Sequence, residues 1–301
     1  MQPLSGVYNI LTTPFTPDGA IDIPSLERLT RSTIEAGVTG ITVLGVAGEA
    51  QKLNPEERRM VMSTVKTLAG KDLPIIAGTS HDGTDLTIEA SQEAQQMGAA
   101  GLMIAPPAFL QPGPGLTEHY RRIAEAVDIP IILQDFPVVN GVTMSPAQMV
   151  ELCDAVPAIT TIKLEDVPTP QRTAQTLRMT ERNISIVGGL GGMYLLDELR
   201  RGSSGAMTGF AYPEVLVKIC QAWLSGDRQR ATKLYYRVLP LLVFEGQPKL
   251  GVAIRKEILR RRGLIDHATL RHPGPSLDDG TLADLTETIE WVGIDQISNE
   301  E

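Results

Sequence analysis

The sequence predicts a (β/α)8 barrel followed by a helical extension, and three observations lead to this fold class. Short apolar runs alternate with longer amphipathic stretches, eight of the runs resemble strands, and the strand signal stops after about residue 224. Eight strands that alternate with helices are the pattern of a (β/α)8 barrel. The predicted strands are residues 6–12, 40–44, 74–78, 101–105, 130–134, 159–163, 184–187 and 205–208.

Helix-like segments fill the spaces between these strands. Asn54 and Ser145 each precede a proline, a combination typical of helix starts. A doubly wound open sheet is the weaker alternative, and a dinucleotide fold has no support because no Gly-x-Gly-x-x-Gly sequence follows the first strand. The predicted helices of the barrel include 24–36, 55–69, 86–97, 117–126 and 146–155.

The C-terminal part of the chain favours helices alone, at 227–238, 247–262 and 281–291. We therefore predict a barrel domain over residues 1–224 and a helical extension over residues 225–301. The stretch 255–262 is strongly basic, and we expect a solvated helix face or a subunit contact there rather than an anion site.

Composition narrows the class of protein. The chain has 301 residues, of which 42% are hydrophobic, and its net charge of -9 argues against a nucleic-acid partner. Residues 1–6 lack the features of a signal peptide, and no run approaches the roughly 18 apolar residues of a membrane span. Cys153 and Cys220 are expected to be buried small side chains, and the four histidines have no metal-ligand spacing. We expect a cytoplasmic protein with no metal and no membrane partner.

Lys163 is the first candidate for chemistry. It lies in a run dominated by β-branched residues, residues 159–166, which indicates a buried strand. Burying a lysine cation is costly, so either the strand ends early and Lys163 points into solvent, or it is a buried amine that can form a Schiff base. The residues alone leave these two interpretations about even. Side chains alternate along a strand, so Lys163 and Glu165 share one face.

The other strand ends are expected to surround this lysine, because catalytic groups of such barrels lie where strands end. The second strand is followed by Gly-Val-Ala-Gly-Glu, residues 45–49. Its backbone N–H groups could hold a carboxylate, although an ordinary strand-to-helix turn explains the sequence equally well. The fifth strand ends at Gln134, the seventh in the glycine-rich residues 188–192, and the eighth at Thr208.

These motifs resemble the dihydrodipicolinate synthase / N-acetylneuraminate lyase family across nearly the whole chain. The resemblance rests on the Gly-x-x-Gly-Glu loop after the second strand, the lysine of the sixth strand and the helical C-terminal extension. It implies a (β/α)8 barrel, usually a homotetramer, that forms a Schiff base with the 2-oxo group of pyruvate or a similar substrate. Lys163 matches the Schiff-base lysine, and the N–H groups of Val46 and Ala47 would hold the carboxylate of the 2-oxo acid.

The sequence departs from the family's namesakes at three positions. Members that make dihydrodipicolinate have two threonines where this chain has Val46 and Ala47, a proton-relaying tyrosine where it has Gln134, and an arginine where it has Val139. Glutamine cannot replace the tyrosine as an acid or base. These departures argue against lysine biosynthesis and sialic acid cleavage. Gln134-Asp135-x-Pro137, Lys163-x-Glu165 and residues 205–209 resemble the L-2-keto-3-deoxyarabinonate dehydratases of the family, a branch that also lacks the tyrosine, although the loop of residues 45–49 does not match.

The leading hypothesis is therefore a lyase that dehydrates a 2-keto-3-deoxy sugar acid through an imine on Lys163, with no other cofactor. Glu165 would move the proton, Gln134 would bind a substrate hydroxyl, and Gly189 and Thr208 would contact the sugar chain. A salt bridge that holds the strand end is the alternative role of Glu165. His81 is an alternative base, although an ordinary loop histidine explains it better.

Two further functions stay open from the sequence. One is a retro-aldolase that releases pyruvate from the same class of substrate. The other, of a different class, is a non-catalytic sensor of a 2-oxo acid on a barrel that has lost its relay residues.

Overall fold

The computed structural model describes residues 2–299, and its eight strands form a closed, parallel barrel in chain order. Gly6 in the first strand pairs with Gly205 in the last, which closes the barrel. The predicted fold class is therefore confirmed. The strands are β1 (Gly6–Ile10), β2 (Gly40–Val43), β3 (Ile75–Gly78), β4 (Gly101–Ile104), β5 (Ile131–Asp135), β6 (Ile159–Leu164), β7 (Ser185–Gly188) and β8 (Gly205–Thr208).

Helices connect successive strands on the outside of the barrel. As predicted, Asn54 and Ser145 cap the helices that follow them, each accepting a hydrogen bond from the backbone N–H three residues on. The connecting helices are α1 (Ile23–Glu35), α2 (Pro55–Ala69), α3 (Thr84–Gln96), α4 (Pro114–Ala126), α5 (Pro137–Asn140), α6 (Pro146–Ala155), α7 (Thr169–Met179) and α8 (Leu195–Arg200). The last helix of the barrel, α9 (Pro213–Leu224), follows β8.

The inside of the barrel is filled by side chains below the predicted site. Thr161 and Ser185 share a hydrogen bond of 2.9 Å there, and the Leu4 N–H donates to Thr161 Oγ1 at 3.1 Å. The barrel is therefore a packed core that leaves its carboxyl end for chemistry. The apolar residues of this inner cluster are Leu4, Tyr8, Ile10, Ile76, Met103, Ile132, Val187 and Met207.

The pairing of β6 settles the position of Lys163. It lies opposite Gln134 of β5 on one side and opposite Val187 of β7 on the other. The lysine is only 3% exposed. These contacts exclude the interpretation that the strand ends early and Lys163 points into solvent.

Four helices follow the barrel: α10 (Arg228–Glu245), α11 (Gly251–Arg261), α12 (Asp279–Val292) and α13 (Ile294–Asn299). The two tryptophans lie on outer helices. Trp223 is at the end of α9 under the Arg228 guanidinium, and Trp291 is exposed on α12. Across residues 2–299, no helix is long and apolar enough to cross a membrane.

The expectation for the basic stretch 255–262 is wrong at its first two positions. Arg255 and Lys256 are buried, because each cation is paired with a buried carboxylate, Glu245 and Glu49 respectively. Helical periodicity cannot distinguish such an ion-paired inner face from a solvated one.

Candidate active site

Three of the predicted side chains meet inside the mouth of the barrel. Glu165 Oε2 lies 2.8 Å from Lys163 Nζ and accepts a hydrogen bond of 2.8 Å from Gln134 Nε2. All three residues are buried. One carboxylate oxygen therefore links the lysine to the residue that stands where the family's tyrosine is expected.

The strand geometry explains why these three side chains converge. Ile162 and Leu164 pack in the outer core, so the alternate residues Lys163 and Glu165 point inwards. The Glu165 N–H donates to the Asp135 carbonyl at 2.9 Å, which continues the pairing with β5 beyond the end of β6. This bond fixes the backbone that carries the carboxylate.

The end of β7 leaves room for Glu165 because it has no side chain there. A Cβ atom at Gly189 would collide with the Glu165 carboxylate. The Leu190 N–H approaches Glu165 Oε1 at 3.4 Å, a long hydrogen bond. The glycine therefore serves the predicted site by allowing a close approach of the carboxylate rather than by contributing a group.

Thr208 contacts the loop after β7 rather than the group of Lys163, Glu165 and Gln134. Its Oγ1 accepts a hydrogen bond of 2.9 Å from the Gly191 N–H, so its hydroxyl braces the loop that follows β7. The residue is 4% exposed. Its contact with a substrate stays a prediction.

The loop after β2 carries the predicted carboxylate site. Val46, Ala47 and Gly48 form one 3-10 turn, and no protein acceptor within residues 2–299 is recorded for the N–H groups of Val46 and Ala47. Thr13 Oγ1 donates to the Gly48 carbonyl at 2.7 Å. Unpaired N–H groups at the start of such a turn can receive an anion. Glu49 closes the turn in the left-handed conformation, with φ of 54°.

An open cleft of about 800 Å³ connects this loop with the barrel mouth. Val46, Gln134 and Val139 line it, and so does His81, which is half-buried. Burial and the nearby Arg58 guanidinium lower the pKa of His81, so the ring is neutral at neutral pH. His81 therefore faces the cleft, but it has no contact with the Lys163 group among the hydrogen bonds of residues 2–299.

Two buried carboxyl groups near the site were not predicted from the sequence. Burial raises the pKa of Asp135, on the outer side of β5, to about 7, although Arg172 lies 3.5 Å away. Burial likewise raises the pKa of Glu198 to about 8, opposed by a hydrogen bond of 2.5 Å from Thr169 Oγ1.

Glu198 lies directly behind the strand end that faces Glu165. A Cβ atom at Gly188 would collide with its Oε2, which has no hydrogen-bond partner. The sequence signal for it is a glutamate among leucines on α8. The backbone of β7 thus separates two carboxyl groups, Glu165 inside and Glu198 outside.

The arrangement has the parts of a Schiff-base site. A buried amine beside a carboxylate can transfer its proton, and the resulting neutral amine can attack a carbonyl. Within residues 2–299, no group of three His, Cys, Asp or Glu side chains could hold a metal ion.

Comparisons with known proteins show which family this chain resembles. The dihydrodipicolinate synthetase family matches residues 3–291. An L-2-keto-3-deoxyarabonate dehydratase from Azospirillum brasilense is 30% identical over 287 residues, which cover 93% of this chain and 92% of that one.

Two solved structures extend the comparison. Dihydrodipicolinate synthase from Rhodopseudomonas palustris is 33% identical, with a TM-score of 0.91 over 97% of this chain and 100% of that one. YagE from Escherichia coli K12, a prophage protein of the same family solved in complex with pyruvate, is 26% identical, with a TM-score of 0.89 over 96% and 99% of the two chains.

Proposed function

Because this chain belongs to the dihydrodipicolinate synthetase family, we propose that it is a lyase that forms an imine with a 2-oxo acid and dehydrates a 2-keto-3-deoxy sugar acid. One observation carries the proposal. The buried Lys163 Nζ contacts Glu165 Oε2 at 2.8 Å, and the same oxygen accepts from Gln134, whose amide does not titrate. Among residues 2–299, Glu165 is thus the acid–base group that forms an ion pair with the lysine.

The substrate would be oriented by the two sides of the cleft. The N–H groups of Val46 and Ala47 would bind its carboxylate and place the 2-oxo carbon at Lys163. Gln134 would hydrogen-bond a hydroxyl of the sugar chain, which would run past Gly189 and Thr208.

Imine formation would begin with the existing ion pair. Lys163 passes a proton to Glu165, and the neutral amine attacks the 2-oxo carbon. Glu165 returns that proton to the departing hydroxyl, which leaves as water. The products of this step are an iminium on Lys163 and an ionised Glu165.

The dehydration would use the same carboxylate again. The iminium acidifies the C3 proton, Glu165 removes it, and an enamine forms. Glu165 then delivers this proton to the C4 hydroxyl, which leaves as water while the enamine electrons form the C3–C4 double bond. Hydrolysis of the unsaturated iminium frees the product and restores the Lys163 amine.

Dihydrodipicolinate synthesis, the activity named for one of the similar structures, is the weaker candidate. It would need a relay of hydroxyl groups, and this chain has Val46, Ala47 and Gln134 at those positions. The dehydratase named among the relatives supports the proposed reaction.

Retro-aldol cleavage is a second candidate, favoured by the pyruvate complex of YagE. In that reaction Glu165 would remove the proton of the C4 hydroxyl, and the C3–C4 bond would break to leave the enamine of pyruvate. Both reactions use the same imine, so only the products separate them.

The test is borohydride trapping with pyruvate and several 2-keto-3-deoxy sugar acids, read by intact mass and peptide mapping. We expect a reduced adduct on Lys163 and, in turnover, a dehydrated product with an unbroken carbon skeleton. Pyruvate release would instead establish the aldolase. Reversible, saturable binding without any trapped adduct would contradict both reactions and favour the non-catalytic sensor.

The homotetramer is also a proposal, since it rests on the family resemblance alone. Light scattering of the purified protein measures the assembly directly. A mass of four chains supports it, and any other mass contradicts it.

A further inference from the structure

A buried cluster of charges joins the loop after β2 to the C-terminal extension. Lys256 Nζ on α11 lies 2.6 Å from Glu49 Oε1, and Lys52 Nζ lies 2.8 Å from Glu49 Oε2. The Arg271 N–H also donates to Oε2, at 3.1 Å. We call Glu49, Lys52, Lys256 and Arg271 the Glu49 cluster.

The C-terminal side of the cluster is itself firmly held. Lys256 is completely buried, donates to the Thr269 carbonyl at 2.7 Å and lies over the Phe15 ring at 4.3 Å. Arg271 bonds the Glu57 carboxylate and the Gly19 carbonyl. Every contact of Glu49 with the extension therefore ends on a group that has further partners of its own.

Attaching a helix to a barrel through buried charges carries a large desolvation free energy. Two apolar side chains of similar volume would hold α11 at least as well, because burying an ion pair removes both charges from water. The cluster connects instead to a single residue, Glu49, which takes a left-handed backbone conformation directly after the 3-10 turn of Val46 and Ala47. Its contacts therefore fix the loop at a residue whose backbone is held in the sparsely populated left-handed conformation.

We propose that the C-terminal extension positions the loop after β2, residues 45–49, whose N–H groups would bind the substrate carboxylate. Lys256 and Glu49 are the positioning residues. The cluster holds one end of the turn, Thr13 holds the Gly48 carbonyl, and the free N–H groups of Val46 and Ala47 are thereby aimed at the substrate. This inference rests on the proposed function, because it needs a 2-oxo acid to bind there. It assigns the extension a part in substrate binding that acts through the loop after β2.

The charge balance of the cluster supports this role. Burial lowers the pKa of Lys256 to about 8, Glu49 opposes that shift, and Lys52 and Arg271 add to it. These three are the charged groups around the ammonium, and the Phe15 ring covers its remaining side. At neutral pH Lys256 is therefore cationic and can hold the carboxylate.

The experiment compares borohydride trapping of pyruvate in the wild type, Lys256→Met and Glu257→Gln. Glu257 is next to Lys256 on α11 but pairs with Arg260 and Arg261, away from the loop, so its variant is the matched control. We expect Lys256→Met to raise the half-saturating pyruvate concentration by about tenfold to a hundredfold. The trapping rate at saturation and the control variant should stay close to the wild type.

The double variant Glu49→Gln/Lys256→Met covers the case in which the single variant does not fold, because it removes both charges of the most deeply buried pair, while Lys52 keeps the Arg271 carbonyl as an acceptor. It should show the same rise in half-saturating concentration. Faster amide hydrogen exchange in a peptide covering residues 45–52, with α4 unchanged, is the expected local signature.

An unchanged half-saturating concentration in a folded variant overturns the inference. A fall of the saturating rate in proportion overturns it as well, since that would indicate general damage. If the wild type itself traps no 2-oxo acid, the proposed function fails first, and the positioning role fails with it. Trapping by the wild type with equal behaviour of all variants defeats the positioning role alone.

Discussion

Two buried lysine–glutamate pairs lie at the carboxyl end of the barrel, and they differ in how completely their polar atoms are used. In the pair of Lys256 and Glu49, the ammonium has a carboxylate, a carbonyl and an aromatic ring as partners, and both carboxylate oxygens are bonded. In the pair of Lys163 and Glu165, the ammonium contacts one carboxylate oxygen and lies 5.8 Å from the centre of the Phe136 ring, and the other carboxylate oxygen has only a 3.4 Å contact.

The difference separates a structural pair from a reactive one. Buried polar groups normally have their hydrogen-bonding capacity filled, so a pair with unused capacity needs another explanation. The pair of Lys163 and Glu165 has capacity left for a substrate, whereas both oxygens of Glu49 and the Lys256 ammonium already have close polar partners. The lysine that reacts should therefore be the one with fewer partners.

Removing the reactive lysine should give the largest effect. Lys163→Ala should abolish borohydride trapping and lower turnover by at least about 10⁴-fold, because within residues 2–299 Lys163 is the amine that contacts Glu165 at the barrel mouth. Intact mass after borohydride and product assay measure the two effects. A reduced adduct of the same mass in this variant would move the reactive amine elsewhere, and Lys256 would be the first to examine.

Neutralising the carboxylate should separate chemistry from imine formation. Glu165→Gln keeps the size of the side chain but cannot carry a proton, so kcat should fall by about 10²–10⁴-fold. Trapping of pyruvate should survive. Asp166→Asn is the control, since Asp166 pairs with Arg172 and does not contact Lys163. Unchanged turnover in Glu165→Gln would leave it only the role of a salt bridge at the strand end.

Crowding the carboxylate should test its placement without removing it. In Gly189→Ala the new methyl group collides with Glu165, and the displacement should lower kcat by about tenfold to a hundredfold. Gly115→Ala, on α4 where a methyl group meets no close neighbour, should leave kcat unchanged. Equal kcat in the two variants would show that the exact position of Glu165 is unimportant.

The two pairs should also differ in their contribution to stability. Lys256→Met leaves acceptors on Glu49 and Thr269 without their partner and should cost about 3–5 kcal/mol of unfolding free energy. Lys163→Met should cost less than that, because it unpairs one carboxylate that keeps its bond from Gln134, whereas Lys256→Met also leaves the Thr269 carbonyl without its donor. Urea unfolding at pH 7 measures both. The reverse order would remove the distinction between a structural and a reactive pair.

The smallest expected effect concerns Glu198, the carboxyl group behind Glu165. Its pKa is raised to about 8 in the fold, so its contribution to stability is complete below about pH 4.5 and is lost as the pH rises through 8. Glu198→Gln should reduce that loss by at least about 1 kcal/mol. Unfolding free energies at pH 5 and pH 8.5 provide the comparison, and parallel pH dependences would contradict the assignment.

The sequence predicted what local periodicity and topology determine. Eight strand-like runs were enough for the barrel, and the alternation of side chains placed Lys163 beside Glu165. The strand ends then identified Gln134 as a neighbour, because residues at successive strand ends must meet at one rim.

Periodicity and topology do not predict long-range ion pairs. Glu49 and Lys256 are 207 residues apart, and the residues around each of them do not indicate which residue it pairs with. The basic stretch 255–262 was misinterpreted for the same reason. The hydrogen bond from Gly191 to Thr208 depends on the left-handed turn at Gly191, which the glycine-rich sequence permits but does not specify.

The placement of the two tryptophans leaves the barrel mouth without a tryptophan fluorophore. Trp223 and Trp291 sit on α9 and α12, and the rest of the 301 residues contain no other indole. Tryptophan emission therefore reports the outer helices only. A shift in emission when a 2-oxo acid is added cannot arise from contact with the ligand, and it would measure motion that has travelled from the barrel to those helices.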